Sequence, residues 1–179
     1  QNPDRFYRTE SEEELAEIAA SIGSDVPLFL ILGAVHIRGR GDIVEPLGVP
    51  IPTLYGVIVK PHVGVPTPAA YKLLDAIPDR VPGKATQNLL SVLQSSPNDL
   101  HAVASALGND FEQAVLPAFP GVADAHDFVG KTGALRALLC GSGSAVFGLA
   151  ESAGHADTMA RKLRETNRFA WVEVAESLP

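Results

Sequence analysis

Residues 135 to 150 read as an apolar run, a four-residue glycine-serine link and a second apolar run: Leu135 to Cys140, Gly141-Ser142-Gly143-Ser144, and Ala145 to Ala150. Runs of this length suit strands. The link is too short for a parallel crossover, so the chain must double back here as an antiparallel hairpin. A strand from Leu54 to Lys60 precedes the hairpin, a helix near Ala153 to Glu165 follows it, and Phe169 to Val174 forms a last strand. Between the first strand and the hairpin lie helical segments near 67–77, 86–93, 98–107 and 110–129, interrupted by Gly108, Pro117 and Pro120. Thr67 is expected to cap the first of these, with Pro68 in its first turn. The resulting order is βαββαβ with extra helices in the first crossover. It predicts an α+β, ferredoxin-like domain in which the helices cover one face of an antiparallel sheet.

Upstream, Pro46, Pro50 and Pro52 break regular structure, because each fixes φ and removes a hydrogen-bond donor. A domain boundary is expected there, dividing the chain into residues 1–52 and 53–179. In the first part, Ser11 and Glu14 form a capping-box pair, and Leu15, Ile18, Ala19 and Ile22 share a helical face that Gly23 ends. The predicted helix is 12–22. The apolar stretch from Leu28 to Val35 then feeds a hairpin turning through Arg38-Gly39-Arg40-Gly41, on which Asp42 and Glu45 read as solvated charges. The chain begins with Gln1 rather than methionine and its first helix signal comes almost at once, so the reading expects a chain entered midway.

Charge and residue usage narrow the function. Fourteen Lys plus Arg stand against 21 Asp plus Glu, a net charge of −7, and the basic residues do not cluster, which argues against nucleic acid. The single Cys140 has no internal disulfide partner, a usage that fits a reducing cytoplasm. The five histidines show no short metal-ligand spacing, so no metal site is expected. No apolar run approaches the ~20 residues that span a bilayer, and no membrane partner is expected.

Several motifs invite chemistry. Gly130-Lys131-Thr132 lacks the glycine that a phosphate loop needs at Ala125, and Gly130 is expected to stop a helix. Gly141-Ser142-Gly143 is no dinucleotide fingerprint, since Val146 stands where a third glycine belongs. It offers backbone N–H groups and hydroxyls to an anion, or it is a plain hairpin turn; the local pattern supports both readings. No cation is adjacent in sequence to clamp such an anion. Asp25, between Ser24 and Val26-Pro27, likewise reads as a cap for the following turn or as a positioned general base.

A set of segments bears on these alternatives. They are Ile22 to Leu30, Gly39-Arg40-Gly41-Asp42 with Pro46-Leu47, Val65 to Tyr71, Asn109-Asp110-Phe111-Glu112, and Gly141 to Gly148. In order and spacing they resemble the 4-diphosphocytidyl-2-C-methyl-D-erythritol kinase family of the GHMP kinase superfamily, over nearly the whole chain. The resemblance implies the end of a GHMP kinase N-terminal domain followed by the ferredoxin-like C-terminal domain. It implies ATP-dependent phosphorylation, with Mg²⁺, of the 2-hydroxyl of 4-diphosphocytidyl-2-C-methyl-D-erythritol on the route to isoprenoid precursors. Asp25 falls on the family's catalytic aspartate. Gly141, Ser142, Gly143 and Ser144 fall on its glycine-rich phosphate turn, and Thr67 on the loop bordering the substrate. Pro66 departs from an expected serine and removes a hydroxyl from that loop. The family's ATP loop, catalytic lysine and cytosine-holding residues are expected upstream of Gln1, so residues 1–179 alone are expected to be inactive. Two other readings stand beside this one: a non-catalytic ferredoxin-like ligand-binding or assembly module, and a different GHMP small-molecule kinase. A Gly/Ser-rich loop after a strand in the upstream sequence would favour a kinase over the module.

Overall fold

A computed structural model describes residues 11–23, 25–31, 33–39, 43–49 and 51–178. The chain divides into two compact units, residues 1–50 with 178–179, and residues 51–177.

The first unit opens with helix α1, Glu12–Ile22. Its capping box forms as expected: Ser11 Oγ accepts the Glu14 N–H at 3.1 Å, and the Glu14 carboxylate accepts the Ser11 N–H at 3.0 Å. A 3-10 turn over Pro27–Leu30 follows, then β1, Val35–Arg38, antiparallel to β2, Ile43–Pro46. Arg38 pairs with Glu45 across this hairpin, and Glu45 is a solvent-exposed charge there as expected. Arg40, Gly41 and Asp42 lie outside the described residues. Of the helical face anticipated in α1, only Ala19 is buried; Leu15, Ile18 and Ile22 are exposed, Ile22 by 71% and Phe29 beyond it by 80%.

In the second unit, β3 (Tyr55–Pro61) is followed by helices α2 (Thr67–Asp75), α3 (Lys84–Ser95), α4 (Leu100–Ala106), α5 (Glu112–Ala118) and α6 (Pro120–Lys131). Strands β4 (Arg136–Leu139) and β5 (Val146–Ala150), helix α7 (Ala153–Glu165) and β6 (Phe169–Glu176) complete it. The strands lie in the order β4-β5-β3-β6, every neighbouring pair antiparallel. This is the ferredoxin-like arrangement, with α2 to α5 as the helical insert. Period-two alternation places Val57 and Val59 of β3 and Val172 of β6 on one face, where they are buried with Val122 and Val129 of α6 and Met159 and Leu163 of α7. Each such side chain stabilises the fold by roughly 1.5–3 kcal/mol.

Two local expectations fail. Pro66, not Thr67, is the N-cap of α2, and no side chain caps that helix. Thr67 already has helical geometry, which frees its hydroxyl for a tertiary contact. Nor does Gly130 end α6, which continues to Lys131, paired with Asp127 one turn back at 2.5 Å. The left-handed residue that follows is Gly133, at φ +99°.

Candidate functional site

The Gly141 to Ser144 link joins β4 to β5 as a tight turn. The Cys140 N–H donates to the Ala145 carbonyl and the Gly143 N–H to the Cys140 carbonyl, both at 2.9 Å. Gly141 and Gly143 have φ of +53° and +91°, a region that side-chain-bearing residues avoid. A Cβ at Gly143 would also sit 3.1 Å from Leu139 Cδ1. The N–H groups of Gly141, Ser142 and Ser144 have no backbone acceptor among the described residues. Backbone N–H donors left over in a turn built on glycine are the chemistry an anion site requires.

The side chains around the turn divide in role. Thr67 Oγ1 and Ser142 Oγ lie 3.2 Å apart, so two of the residues singled out from sequence meet although 75 positions separate them. Thr67 is exposed and Ser142 half-buried. Ser144 is different: it is 1% exposed, donates its hydroxyl to the Val63 carbonyl at 2.5 Å and accepts from Lys60 Nζ. Its hydroxyl is spent inside the fold, tying the turn to β3. Lys60 thereby brings to the turn the cation that no neighbouring sequence position supplies.

A second cluster braces the outer side of this hairpin. Asn109 Nδ2 donates to the Leu139 carbonyl at 2.7 Å and the Gly141 carbonyl at 2.8 Å, while its Oδ1 accepts the Phe111 N–H at 2.9 Å. Three residues on, Glu112 Oε1 accepts the Leu139 N–H at 2.9 Å. Strand β4 is an edge of the sheet, and this carboxylate satisfies a backbone donor that the sheet leaves unpaired. His126 Nε2 lies 3.4 Å from Glu112 Oε1 and 3.1 Å from the Ala137 carbonyl, and Arg136 lies 3.3 Å from Glu112 Oε2. Partial burial opposes ionisation of Glu112, but the His126 contact, the Leu139 N–H and the His126 and Arg136 charges outweigh it and lower its pKa. The Glu112 contact raises the pKa of His126 against the opposing effect of burial. Burial pushes the Cys140 thiol up, away from thiolate chemistry.

These shifts carry a pH signature. A raised His126 stabilises the fold fully below its unfolded value of 6.5, and that contribution is lost as pH rises through the folded value. A lowered Glu112 contributes fully above 4.5 and loses its contribution as pH falls through its folded value. The pair is therefore strongest between 4.5 and 6.5. His126→Gln is expected to lower Tm by about 4 °C in that window, from roughly 1 kcal/mol, and by less at pH 9. Thermal melts of both proteins across pH 5 to 9 check this, and a difference that is flat with pH contradicts it.

Asp25 belongs to the first unit. It is exposed and stands in the turn between α1 and the 3-10 segment. The N-cap of that segment is Val26, and no side chain caps it.

Asn109 and Glu112 lie within one of the segments that resemble the family, but the sequence signals no role for them, nor for Lys60 or His126. Their partners lie 11 to 84 residues away in sequence, where local pattern carries no signal.

Residues 85–168 match the family model described as GHMP kinases C terminal. A curated 4-diphosphocytidyl-2-C-methyl-D-erythritol kinase of Moorella thermoacetica is 39% identical over 153 residues, 86% of this chain and 53% of the relative. One from Streptomyces avermitilis is 36% identical over 170 residues, 93% of this chain and 56% of the relative. A crystal structure of 4-(cytidine 5'-diphospho)-2C-methyl-D-erythritol kinase superposes with a TM-score of 0.73 at 26% identity, covering 97% of this chain and 59% of that one. The chain spans about half the length of the curated relatives it matches. Among the described residues no helix is long and apolar enough to cross a membrane.

Proposed function

We propose, from the premise that this chain belongs to the GHMP kinases and is homologous to their 4-diphosphocytidyl-2-C-methyl-D-erythritol kinase members, that it carries part of a small-molecule kinase site. The substrate is 4-diphosphocytidyl-2-C-methyl-D-erythritol, and its 2-hydroxyl receives the phosphoryl group. Residues 1–52 form the end of the N-terminal kinase domain and residues 53–179 the C-terminal domain. The observation that carries the reading is the Gly141 to Ser144 turn, in which the Gly141 and Ser142 N–H groups have no backbone acceptor among the described residues and the Thr67 and Ser142 hydroxyls lie 3.2 Å apart.

ATP, with Mg²⁺, supplies the γ-phosphoryl group and the neutralising charge when bound. The chain's own residues then hold, orient and take a proton. The turn N–H groups of Gly141 and Ser142 face phosphate oxygens, Gly143 keeps the backbone close, and Thr67 with Ser142 adds hydroxyl donors. Lys60 adds positive charge while Ser144 anchors the turn. Asp25 accepts the proton of the attacking hydroxyl.

Positioning the triphosphate requires more than these donors, since open N–H groups at a solvated turn are competed by water and salt. We propose that the chain acts within a polypeptide of the relatives' length, whose remaining half also covers exposed Ile22 and Phe29. The test incubates that polypeptide, and residues 1–179 alone, with ATP, Mg²⁺ and the diphosphocytidyl alcohol, reading ADP release. Release by the longer polypeptide only is expected. Robust release by residues 1–179 alone overturns the division of the site.

A further inference from the structure

We propose that Asn109 is a positioning residue that aims the Ser142 N–H at an anionic phosphate group, an assignment that rests on the phosphate-turn reading above. The amide orientation is fixed by its partners. Two of them, the Leu139 and Gly141 carbonyls, only accept, and the third, the Phe111 N–H, only donates, so Nδ2 and Oδ1 can occupy one arrangement.

A trans peptide is planar, and its N–H points opposite to its C=O. Pulling the Gly141 carbonyl toward Asn109 therefore turns the Ser142 N–H the other way. The preceding clamp displays the same geometry in a form that can be checked: Asn109 holds the Leu139 carbonyl, and the Cys140 N–H of that peptide points across the hairpin to the Ala145 carbonyl. The Cys140 N–H has an acceptor inside the protein; the Ser142 N–H has no backbone acceptor among the described residues. Glycine at position 141 makes the clamp necessary, because a residue free to visit both signs of φ would otherwise let this peptide rotate. The device is a fixed donor with its carbonyl end tied down, and the chemistry it fits is a phosphate or pyrophosphate oxygen. Glu112 reinforces it by tying the Leu139 N–H on the same edge.

The experiment uses the full-length polypeptide and inorganic pyrophosphate as probe, with Ser142 followed by its ¹⁵N–¹H resonance. Asn109→Asp keeps the acceptor for Phe111 but removes both donors. Asn109→Ser, which adds no charge, serves if the first variant does not fold. In the unaltered protein the Ser142 resonance is expected to shift saturably. In the variant, half-saturation is expected at pyrophosphate concentrations about tenfold higher. With ATP as substrate, kcat and the KM for ATP are expected to worsen while the KM for the alcohol holds, a split that general destabilisation does not produce. A Ser142 resonance unmoved by pyrophosphate in the unaltered protein, or unchanged half-saturation in both variants, overturns the proposal. A polypeptide that binds pyrophosphate at Ser142 yet transfers no phosphate sinks the kinase reading and leaves the role of Asn109 standing.

Discussion

Asp25→Asn in the full-length polypeptide is expected to lower kcat by roughly 10²–10⁴, because it removes the proposed proton acceptor at nearly unchanged volume. Asp25 is exposed, and melting is expected to move by no more than about a degree. Steady-state kinetics and a thermal melt on one preparation separate the two roles. Near-unaltered turnover would take Asp25 out of the mechanism, and a large fall in Tm with intact turnover would return it to capping.

A large effect on stability is expected in the helix-sheet core. Gly148 stands in the middle of β5, opposite Val57 and Ala137. A Cβ there would meet Val129 Cγ1 at 2.5 Å, Met159 Cε at 3.1 Å and Val57 Cγ2 at 3.2 Å. Methionine is flexible and can yield, but Val129 is β-branched, sits in α6 and has essentially one rotamer available. Relief must come from moving α6 off the sheet. Gly148→Ala is expected to cost about 2–3 kcal/mol, roughly 10 °C in Tm for a unit of this size. Replacing Gly154 at the start of α7, where an added Cβ meets nothing within 4 Å, is the matched control. Equal Tm losses in the two variants would contradict the packing argument.

What could be read from sequence follows the range of the forces involved. Helix α1 was legible at both ends because its signals are local: the Ser11 and Glu14 box forms three residues apart, and Gly23 follows the last helical residue. The βαββαβ order was legible for the same reason. Apolar alternation in β3 and the glycine-serine link between β4 and β5 are short-range patterns, and the ferredoxin-like pairing follows from their order. Of the two interruptions expected within 110–129, Pro120 starts α6, whereas Pro117 lies inside α5 and breaks nothing.

The site was legible only in part. By local pattern Thr67 reads only as a cap, and the resemblance alone puts it on the substrate loop; its hydroxyl meets Ser142 across 75 residues, a contact that no window of sequence contains. Ser144 has the same residue type as Ser142 and lies two positions away, yet its hydroxyl turns inward to Val63 and Lys60 because the turn carries the chain back into β5. Lys60 read as one more strand residue. Asn109 and Glu112 could be recognised as part of a motif without any hint that both bind the far edge of the sheet. Residue type limits what chemistry a side chain can do, and tertiary placement decides whether it is used.

The most direct measurement is the transfer itself, followed by ³¹P NMR with the full-length polypeptide, ATP, Mg²⁺ and 4-diphosphocytidyl-2-C-methyl-D-erythritol. The expected result is a new phosphomonoester resonance on the 2-hydroxyl, growing in step with ADP and slowed by Asp25→Asn. ATP and alcohol both left intact by the folded, unaltered polypeptide would contradict the account.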